Sequence, residues 1–128
     1  MFRFLSIRPA SALKILILED SPERIRIFKE KLSKKHDIYF FNQVEEAKRA
    51  IESQGPFDVI FLDHDLDHQI YVDSDEENTG YQLAKYIANK NISAKVIIHT
   101  MNTIGADRML EVLPDAKHVE FPDLFHVW

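Results

Sequence analysis

The chain has 128 residues, 45% of them apolar and 29% charged, which is typical of one soluble globular domain. It contains no cysteine, so disulfides, zinc–thiolate sites and thiol catalysis are excluded. No apolar run approaches the roughly 20 residues that cross a bilayer, and the N-terminus lacks a signal-peptide core. We therefore expect a cytoplasmic protein with no membrane partner.

The net charge of −5 comes from one segment. Residues 63–78 carry seven acidic residues and no Lys or Arg, which leaves the rest of the chain at about +2. Such a segment repels bare phosphate unless a cation lies between them. This charge pattern argues against broad, sequence-independent binding of nucleic acid through counterion release.

Short apolar runs alternate with amphipathic segments along the chain. The runs predict five buried strands, at residues 14–18, 37–41, 57–63, 95–99 and 117–121. The amphipathic segments predict four helices, at 22–34, after Asn42, after Thr79 and at 104–113. Ser21-Pro22-Glu23 has the residues that begin a helix. Asn42-x-x-Glu45 and Thr79-x-x-Gln82 match the capping box.

This alternation predicts a parallel sheet covered by helices on both faces. The simplest closure is an α/β flavodoxin-like three-layer sandwich with strand order 2-1-3-4-5. We expect a single domain, residues 1–128, with a core of about 13–122. The segment 63–78 is expected to be an acidic loop insertion, and 123–128 an aromatic tail.

The tail is too short to form a fifth full helix. The sheet face beside the first helix would then be partly bare. Either Phe2, Phe4 and Leu5 fold over it with the C-terminal aromatics, or a partner chain covers it in a homodimer. The sequence leaves both alternatives open.

Three of the predicted strands end in titratable residues. Glu19-Asp20 follows the first strand, Asp63-His64-Asp65 the third, and His99-Thr100-Met101-Asn102 the fourth. The carboxyl ends of parallel strands share one edge of the sheet, where ligands bind. Carboxylates from separate strands suit a hard divalent cation. The alternative is that these acids only cap helices, as Asp20 would if it preceded the first one.

The acids Glu19, Asp20 and Asp63, with the hydroxyl of Thr100, resemble the receiver domain of response regulators over roughly residues 13–122. That resemblance implies that the three acids bind Mg²⁺ and that Asp63 accepts a phosphoryl group. Receivers also carry a lysine just before the proline that follows strand five. Here Phe121 stands before that proline, and this departure argues against an ordinary phosphoaspartate relay.

Asp63-His64-Asp65 together with His99-Thr100-x-Asn102 looks like a divergent receiver branch proposed to process cyclic phosphates. The resemblance implies a metal-assisted phosphoesterase that uses Mg²⁺, or Mn²⁺, on a phosphate-containing small molecule, a cyclic nucleotide or a 2′,3′-cyclic RNA end. The implied catalytic residues are Asp63, His64 and His99. The implied phosphate-binding residues are Asp65, Thr100 and Asn102.

Opening a cyclic phosphodiester needs a proton acceptor and a proton donor, and histidine suits both roles near neutral pH. Strands three and four should be neighbours at about 4.8 Å, so we expect His64 and His99 to flank one phosphate. Alternatively, His99 is a buried strand-end residue bonded to Asp65 or Asn102, His64 merely neighbours the metal site, and Asn102 caps a helix.

Two other functions stay open. One is a degenerate receiver that acts by phosphorylation at Asp63 or by binding a partner protein. The other is a cation-sensing or nucleotide-binding module without catalysis.

Overall fold

The structure, a computed structural model, describes residues 12–66 and 71–127. In chain order the elements are β1 (Lys14–Leu18), α1 (Pro22–Leu32), β2 (Asp37–Phe41), α2 (Val44–Gln54), β3 (Val59–Leu62), α3 (Gly80–Asn89), β4 (Lys95–Ile98), α4 (Thr103–Val112), β5 (Lys117–His118), a 3₁₀ turn (Phe121–Asp123) and α5 (Leu124–Val127). None of the helices in these two ranges has the length and apolar content that crossing a bilayer requires.

The strands form one parallel sheet in the order β2-β1-β3-β4-β5, which confirms the predicted flavodoxin-like order. The chain changes winding direction between β1 and β3, so the predicted switch point lies there. Leu18 of β1 pairs with Leu62 of β3, which pairs with Ile98 of β4. These three strands therefore end level with one another, and the residues that follow them meet at one edge.

Two apolar layers cover the sheet because successive side chains of a strand point to opposite faces. On one face Leu16 and Leu18 pack with residues of α2, α3 and α4. On the other face Ile15 and Ile17 pack with Phe28 of α1 and with the C-terminal segment. A residue that directly follows a strand therefore points to a predictable face of the sheet, and the next residue points to the opposite face. This alternation determines on which face each site residue lies.

The start of α2 differs from the predicted capping box. This helix begins at Val44, and its first N–H donates to Asn78 Oδ1 at 2.8 Å, so Asn42 does not cap it. The start of α3 after Thr79 was predicted, but Thr79 Oγ1 donates to the carbonyl of Ser74 instead of accepting from the helix. Asn78, in the loop before α3, therefore caps α2, and Ser74 in the same loop engages the Thr79 hydroxyl. A local sequence pattern indicates neither contact.

The end of the chain covers the sheet face beside α1. β5 is shorter than the predicted 117–121, because its neighbour β4 ends at Ile98, which pairs with His118. The chain then passes through the 3₁₀ turn into the four-residue α5. The rings of Phe121 and Phe125 pack against Phe28 at centroid distances of 5.4 and 5.6 Å. The C-terminal aromatics thus supply cover, whereas Phe2, Phe4, Leu5 and Trp128 lie outside the described residues.

Candidate functional site

The sheet ladder continues one residue beyond β3 and β4. The Asp63 N–H donates to the Leu18 carbonyl at 3.1 Å, and the His99 N–H donates to the Leu62 carbonyl at 2.9 Å. Glu19, Asp63 and His99 therefore stand side by side at the carboxyl edge, on the face covered by α1. All three side chains are buried.

Glu19 is buried but well supplied with donors. Its Oε1 accepts from His99 Nε2 at 2.8 Å, and its Oε2 accepts from the N–H groups of Asp20 at 3.1 Å and Ser21 at 3.0 Å. Burial opposes ionisation, but the hydrogen bond and electrostatic attraction of His99, with smaller contributions from Ser21 and Arg24, outweigh it and lower the pKa of Glu19. Glu19 is therefore a carboxylate held in one orientation.

The His99 ring lies among aromatic side chains. Its centroid is 5.4 Å from that of Phe28, 6.2 Å from that of Phe121 and 6.4 Å from that of Phe61. Because a carboxylate only accepts, His99 Nε2 carries the proton shared with Glu19. Nδ1 has no hydrogen-bond partner among the described residues. His99 is thus a buried strand-end histidine, bonded to Glu19 rather than to Asp65 or Asn102.

Asp63 lies between the other two members of this cluster and is 5% exposed. Its burial, together with the neighbouring carboxylates of Glu19 and Asp65, raises the pKa of Asp63 to about 7, against the opposing effect of His99. Two adjacent buried carboxylates repel each other. A cation between them would remove that repulsion.

The donor set fits a divalent cation. Glu19, Asp63 and His99 each offer one ligand atom, and these atoms lie within 4.8 Å of one another. Asp20 lines the same cavity and adds a carboxylate beside them. Oxygen donors suit Mg²⁺, whereas an imidazole among them also suits Mn²⁺ or Zn²⁺.

His64 belongs to a second cluster on the opposite side of the sheet. Its Nδ1 donates to Asp65 Oδ1 at 2.8 Å, and its Nε2 bonds Ser74 Oγ, also at 2.8 Å. The order Ser–His–Asp is that of a serine-hydrolase triad. Ser74 is only 5% exposed and does not line the cavity described below, so the chain of bonds fixes the acidic loop rather than presenting a nucleophile.

Two glycines allow helices to lie close to this cluster: Gly80 of α3 lies against the Asp63 backbone, and Gly105 of α4 lies against the His64 ring. A Cβ on Gly80 would lie 2.0 Å from the Asp63 carbonyl oxygen, and one on Gly105 would lie 2.5 Å from the His64 ring. The Gly80 N–H donates to the His64 carbonyl at 3.0 Å. The absence of a side chain at both positions is therefore required for this packing.

Asp65 is the acceptor at the centre of the second cluster. It accepts from His64 Nδ1, from the N–H groups of Tyr71 at 2.7 Å and Val72 at 3.1 Å, and from Asn102 Nδ2 at 3.1 Å. Partial burial opposes ionisation, but these bonds outweigh it and lower the pKa of Asp65. Asp65 thus anchors the acidic loop to the edge of the sheet.

Asn102 divides its amide between two tasks. Its Oδ1 accepts from the Gly105 N–H at 2.9 Å and caps α4, which was one of the predicted alternatives. Its Nδ2 donates to Asp65 and, at 3.3 Å, to the Val72 carbonyl. The Asn102 N–H also donates to Thr100 Oγ1 at 3.1 Å, so that the Thr100 hydroxyl keeps its proton for another acceptor.

A cavity of about 420 Å³ opens between the two clusters. The described residues that line it are Glu19, Asp20, Ser21, Pro22, Arg24, Asp63, Asp65, Tyr71, Thr100, Met101 and Asn102. Eight residues were predicted to contact a ligand or a metal, and six of them line the cavity: Glu19, Asp20, Asp63, Asp65, Thr100 and Asn102.

The expectation that two imidazoles flank one phosphate is wrong. His99 faces the α1 side of the sheet, whereas His64 packs against Gly105 of α4 on the other side. Both rings are 0% exposed, and neither lines the cavity. The physical reason is strand alternation: His99 directly follows β4, whereas His64 lies one residue further beyond β3, so the two point to opposite faces.

Sequence reasoning missed Arg24 and Ser74. Arg24 lines the cavity from the first turn of α1, where a positive charge opposes the helix dipole. That unfavourable placement, combined with the absence of lysine at position 121, is a signal that could have identified it. Ser74 lies between Asp73 and Asp75 in the acidic loop, and no sequence signal singles it out.

The family model of the cyclic-phosphate processing receiver domain matches residues 14–115, so this chain belongs to that family. A search among curated proteins finds no significant match.

Solved receiver domains share the fold. The signal receiver domain of a putative Luxo repressor protein from Vibrio parahaemolyticus is 20% identical, with a TM-score of 0.67 over 91% of this chain and 86% of that chain. The response regulator TrrA from Thermotoga maritima, in complex with Mg²⁺-BeF, is 22% identical, with a TM-score of 0.66 over 90% of this chain and 95% of that chain. The receiver domain of an HD domain-containing protein from Pseudomonas fluorescens Pf-5 is 14% identical, with a TM-score of 0.69 over 87% and 83%. These similarities show a receiver fold.

Proposed function

We propose that this protein is a metal-dependent phosphoesterase that hydrolyses a cyclic phosphodiester, either a cyclic nucleotide or the 2′,3′-cyclic phosphate of an RNA end. The main support is the cavity, where the carboxylates of Glu19 and Asp63 and the hydroxyl of Thr100 share about 420 Å³. That volume is within the range of small-molecule sites. The substrate class follows the name of the family.

In this proposal Glu19, Asp20 and Asp63 hold Mg²⁺ or Mn²⁺, and His99 supports Glu19 without ligating the metal. When bound, the cation offsets negative charge on the phosphate oxygens. The protein's contribution is preorganisation, since His99 and two backbone N–H groups fix the Glu19 carboxylate before any ligand arrives.

The remaining cavity residues have separate roles in the proposal. Thr100 donates its hydroxyl proton to a phosphate oxygen, because its Oγ1 already accepts from Asn102. Asp65 lines the cavity outside the metal cluster and orients the attacking water as a hydrogen-bond acceptor, and the proton of that water passes to the leaving oxygen of the opened ring. His64 and Asn102 hold Asp65 by hydrogen bonds and are therefore positioning residues.

The test is a screen of cyclic phosphodiesters with Mg²⁺ or Mn²⁺ on wild type, Asp63→Asn, His99→Ala and a matched control, Asp115→Asn, which changes an exposed acid outside the cavity. We expect both site variants to reduce metal-dependent turnover by about 10- to 100-fold, the scale of disturbing a metal ligand or its hydrogen-bond partner, and the control to retain it. A folded wild-type protein that opens none of these substrates would overturn the proposal.

A second candidate function is phosphorylation of Asp63, as in a signalling receiver. It is favoured by the receiver fold, which this chain shares with a response regulator solved with Mg²⁺-BeF. Treatment with acetyl phosphate and Mg²⁺, followed by intact-mass measurement, distinguishes the two functions. A stable gain of about 80 Da that Asp63→Asn abolishes would support phosphorylation.

A further inference from the structure

Arg24 is the one Lys or Arg among the described residues that line the cavity. Its Cζ lies over the ring of Phe121, 5.0 Å from the centroid, and its side chain is 24% exposed. The first turn of a helix disfavours a cation. The position of Arg24 is therefore unfavourable for the stability of α1, and the helix itself gives no reason for a cation there.

We propose that Arg24, supported by Phe121, binds the anionic oxygens of the ligand in this cavity. The inference rests on the proposed function in taking that ligand to be a phosphate. A guanidinium presents a planar set of donors that matches two phosphate oxygens at once, and it stacks on aromatic faces.

An ion pair with Glu19 does not account for Arg24. Their closest atoms, Arg24 Nη1 and Glu19 Oε1, are 3.8 Å apart, which is beyond hydrogen-bonding distance. Glu19 also accepts bonds from His99 and from two backbone N–H groups without it. Arg24 lines the cavity and makes no hydrogen bond to Glu19, so its guanidinium donors are available to an acceptor bound there.

The charge of the cavity favours a further cation beside the metal for anion binding. Four carboxylates line the cavity: Glu19, Asp20, Asp63 and Asp65. A single divalent cation leaves this group of charges negative overall, so a phosphate would still be repelled. Arg24 adds a permanent positive charge, because a guanidinium does not lose its proton under ordinary conditions.

Phe121 gives the arrangement its specificity. It stands where the resemblance to receivers leads one to expect a lysine, directly before Pro122. Its ring is packed by Phe28 at 5.4 Å and Phe125 at 5.9 Å, so its position is fixed. Position 121 thus contributes an aromatic surface for a cation from α1 instead of a cation of its own.

The experiment measures binding rather than turnover. Calorimetry follows inorganic phosphate added to the full chain at saturating Mg²⁺, after Mg²⁺ binding alone has been measured. The variants are Arg24→Gln, Arg24→Lys, Phe121→Leu and the double variant Arg24→Gln/Phe121→Lys. The matched control is Arg26→Gln, which removes the same charge from the exposed side of α1, where Arg26 pairs with Glu30 at 2.8 Å.

We expect Arg24→Gln to weaken phosphate binding by about tenfold or more, the scale of losing a hydrogen bond to a charged group. Arg24→Lys and Phe121→Leu should weaken it less, Arg26→Gln should leave it unchanged, and the double variant should recover part of the loss. Mg²⁺ affinity should not fall in Arg24→Gln, since Arg24 repels the cation.

Two results would overturn the inference: wild type that binds no phosphate at millimolar concentration with Mg²⁺, or a folded Arg24→Gln that binds it as tightly as wild type. Different results would overturn the proposed function. If phosphate binding depends on Arg24 but no cyclic phosphodiester is opened, the anion site stands without the activity. If turnover is seen but neither KM nor phosphate affinity changes in Arg24→Gln, the activity stands and the anion site falls.

Discussion

His99 Nε2 donates to Glu19 Oε1 over 2.8 Å, joining two buried residues that are 80 positions apart in the chain. A second pair, His64 and Asp65, has the same distance between ring nitrogen and carboxylate oxygen. In both pairs the carboxylate lines the cavity and the ring lies outside its lining. Each histidine therefore orients a carboxylate that lines the cavity. This is a different role from transferring a proton directly to a ligand.

The first prediction concerns His99. Replacing it with Ala leaves the buried Glu19 carboxylate without its ring donor, so we expect the free energy of unfolding to fall by about 1–3 kcal/mol. Urea denaturation measures this change. His126→Ala, which removes an exposed histidine near the C-terminus, is the control and should unfold as wild type does.

A conservative variant separates positioning from proton transfer at His99. His99→Gln keeps an N–H donor for Glu19 but cannot titrate near neutrality. If His99 positions Glu19, this variant recovers much of the turnover lost in His99→Ala and keeps the wild-type pH profile. Loss of one limb of that profile in His99→Gln would instead identify His99 as an acid–base group.

The second prediction concerns Asp63 in metal-free protein. Burial first, and then Glu19, raise the pKa of Asp63 to about 7, from 3.8 for a free carboxyl group. Between those values the folded state binds a proton that the unfolded state has released, so stability falls as pH rises. Asp63→Asn removes this loss and should be more stable than wild type at pH 8 by more than about 1 kcal/mol, the value of one pKa unit.

The same variant tests the metal. Mg²⁺ binds the deprotonated carboxylate, so it should stabilise wild type more at pH 8 than at pH 5 and should stabilise Asp63→Asn little. Thermal unfolding with and without Mg²⁺ measures this. Equal stabilisation of both proteins would show that the cation binds elsewhere.

The third prediction concerns Asp65, whose pKa shift has the opposite sign. Partial burial opposes ionisation, but four hydrogen bonds outweigh it and lower the pKa. Its stabilising effect is therefore complete above the pKa of the unfolded chain and is lost as pH falls through the lower folded value. Asp65→Asn should be less stable than wild type at pH 7, and chemical denaturation should show the two converging in acid. A gap that does not change with pH would contradict this assignment.

Comparison of sequence and structure shows which features local patterns determine. Strand order, the level ends of β1, β3 and β4, and the shared carboxylate edge follow from apolar runs and crossover rules. The faces of His64 and His99 do not, because an error of one residue in a strand end reverses the direction of a side chain. The third strand was predicted to reach Asp63 but ends at Leu62.

Contacts between distant segments were also outside the reach of local patterns. Asn78 caps α2 from across a loop, and Arg24 is paired with Phe121 from the other end of the chain. Both depend on the folded arrangement of segments that no periodicity connects. The family resemblance, by contrast, was confirmed, since its motifs are contiguous in the sequence.

The fourth prediction separates the two tasks of Asn102. Asn102→Asp keeps an oxygen to cap α4 but replaces the amide donor with a carboxylate that faces Asp65. We expect a loss of about 1–3 kcal/mol, because Asp65 and the Val72 carbonyl both lose a donor. Hydrogen exchange should show faster exchange at the Tyr71 and Val72 amides than in α4. Uniform acceleration of both regions would mean that the cap, not the loop contact, had been lost.

The last prediction concerns Gly105, which faces the His64 ring. In an exposed helix, replacing Gly with Ala stabilises by about 1 kcal/mol. Here the added Cβ would lie 2.5 Å from two ring atoms, so we expect Gly105→Ala to destabilise by about 1–3 kcal/mol through overpacking. A double-mutant cycle with His64→Ala measures the origin of this effect, since removing the ring should relieve most of the cost. If Gly105→Ala costs the same in both backgrounds, contact with His64 is not what requires a glycine there.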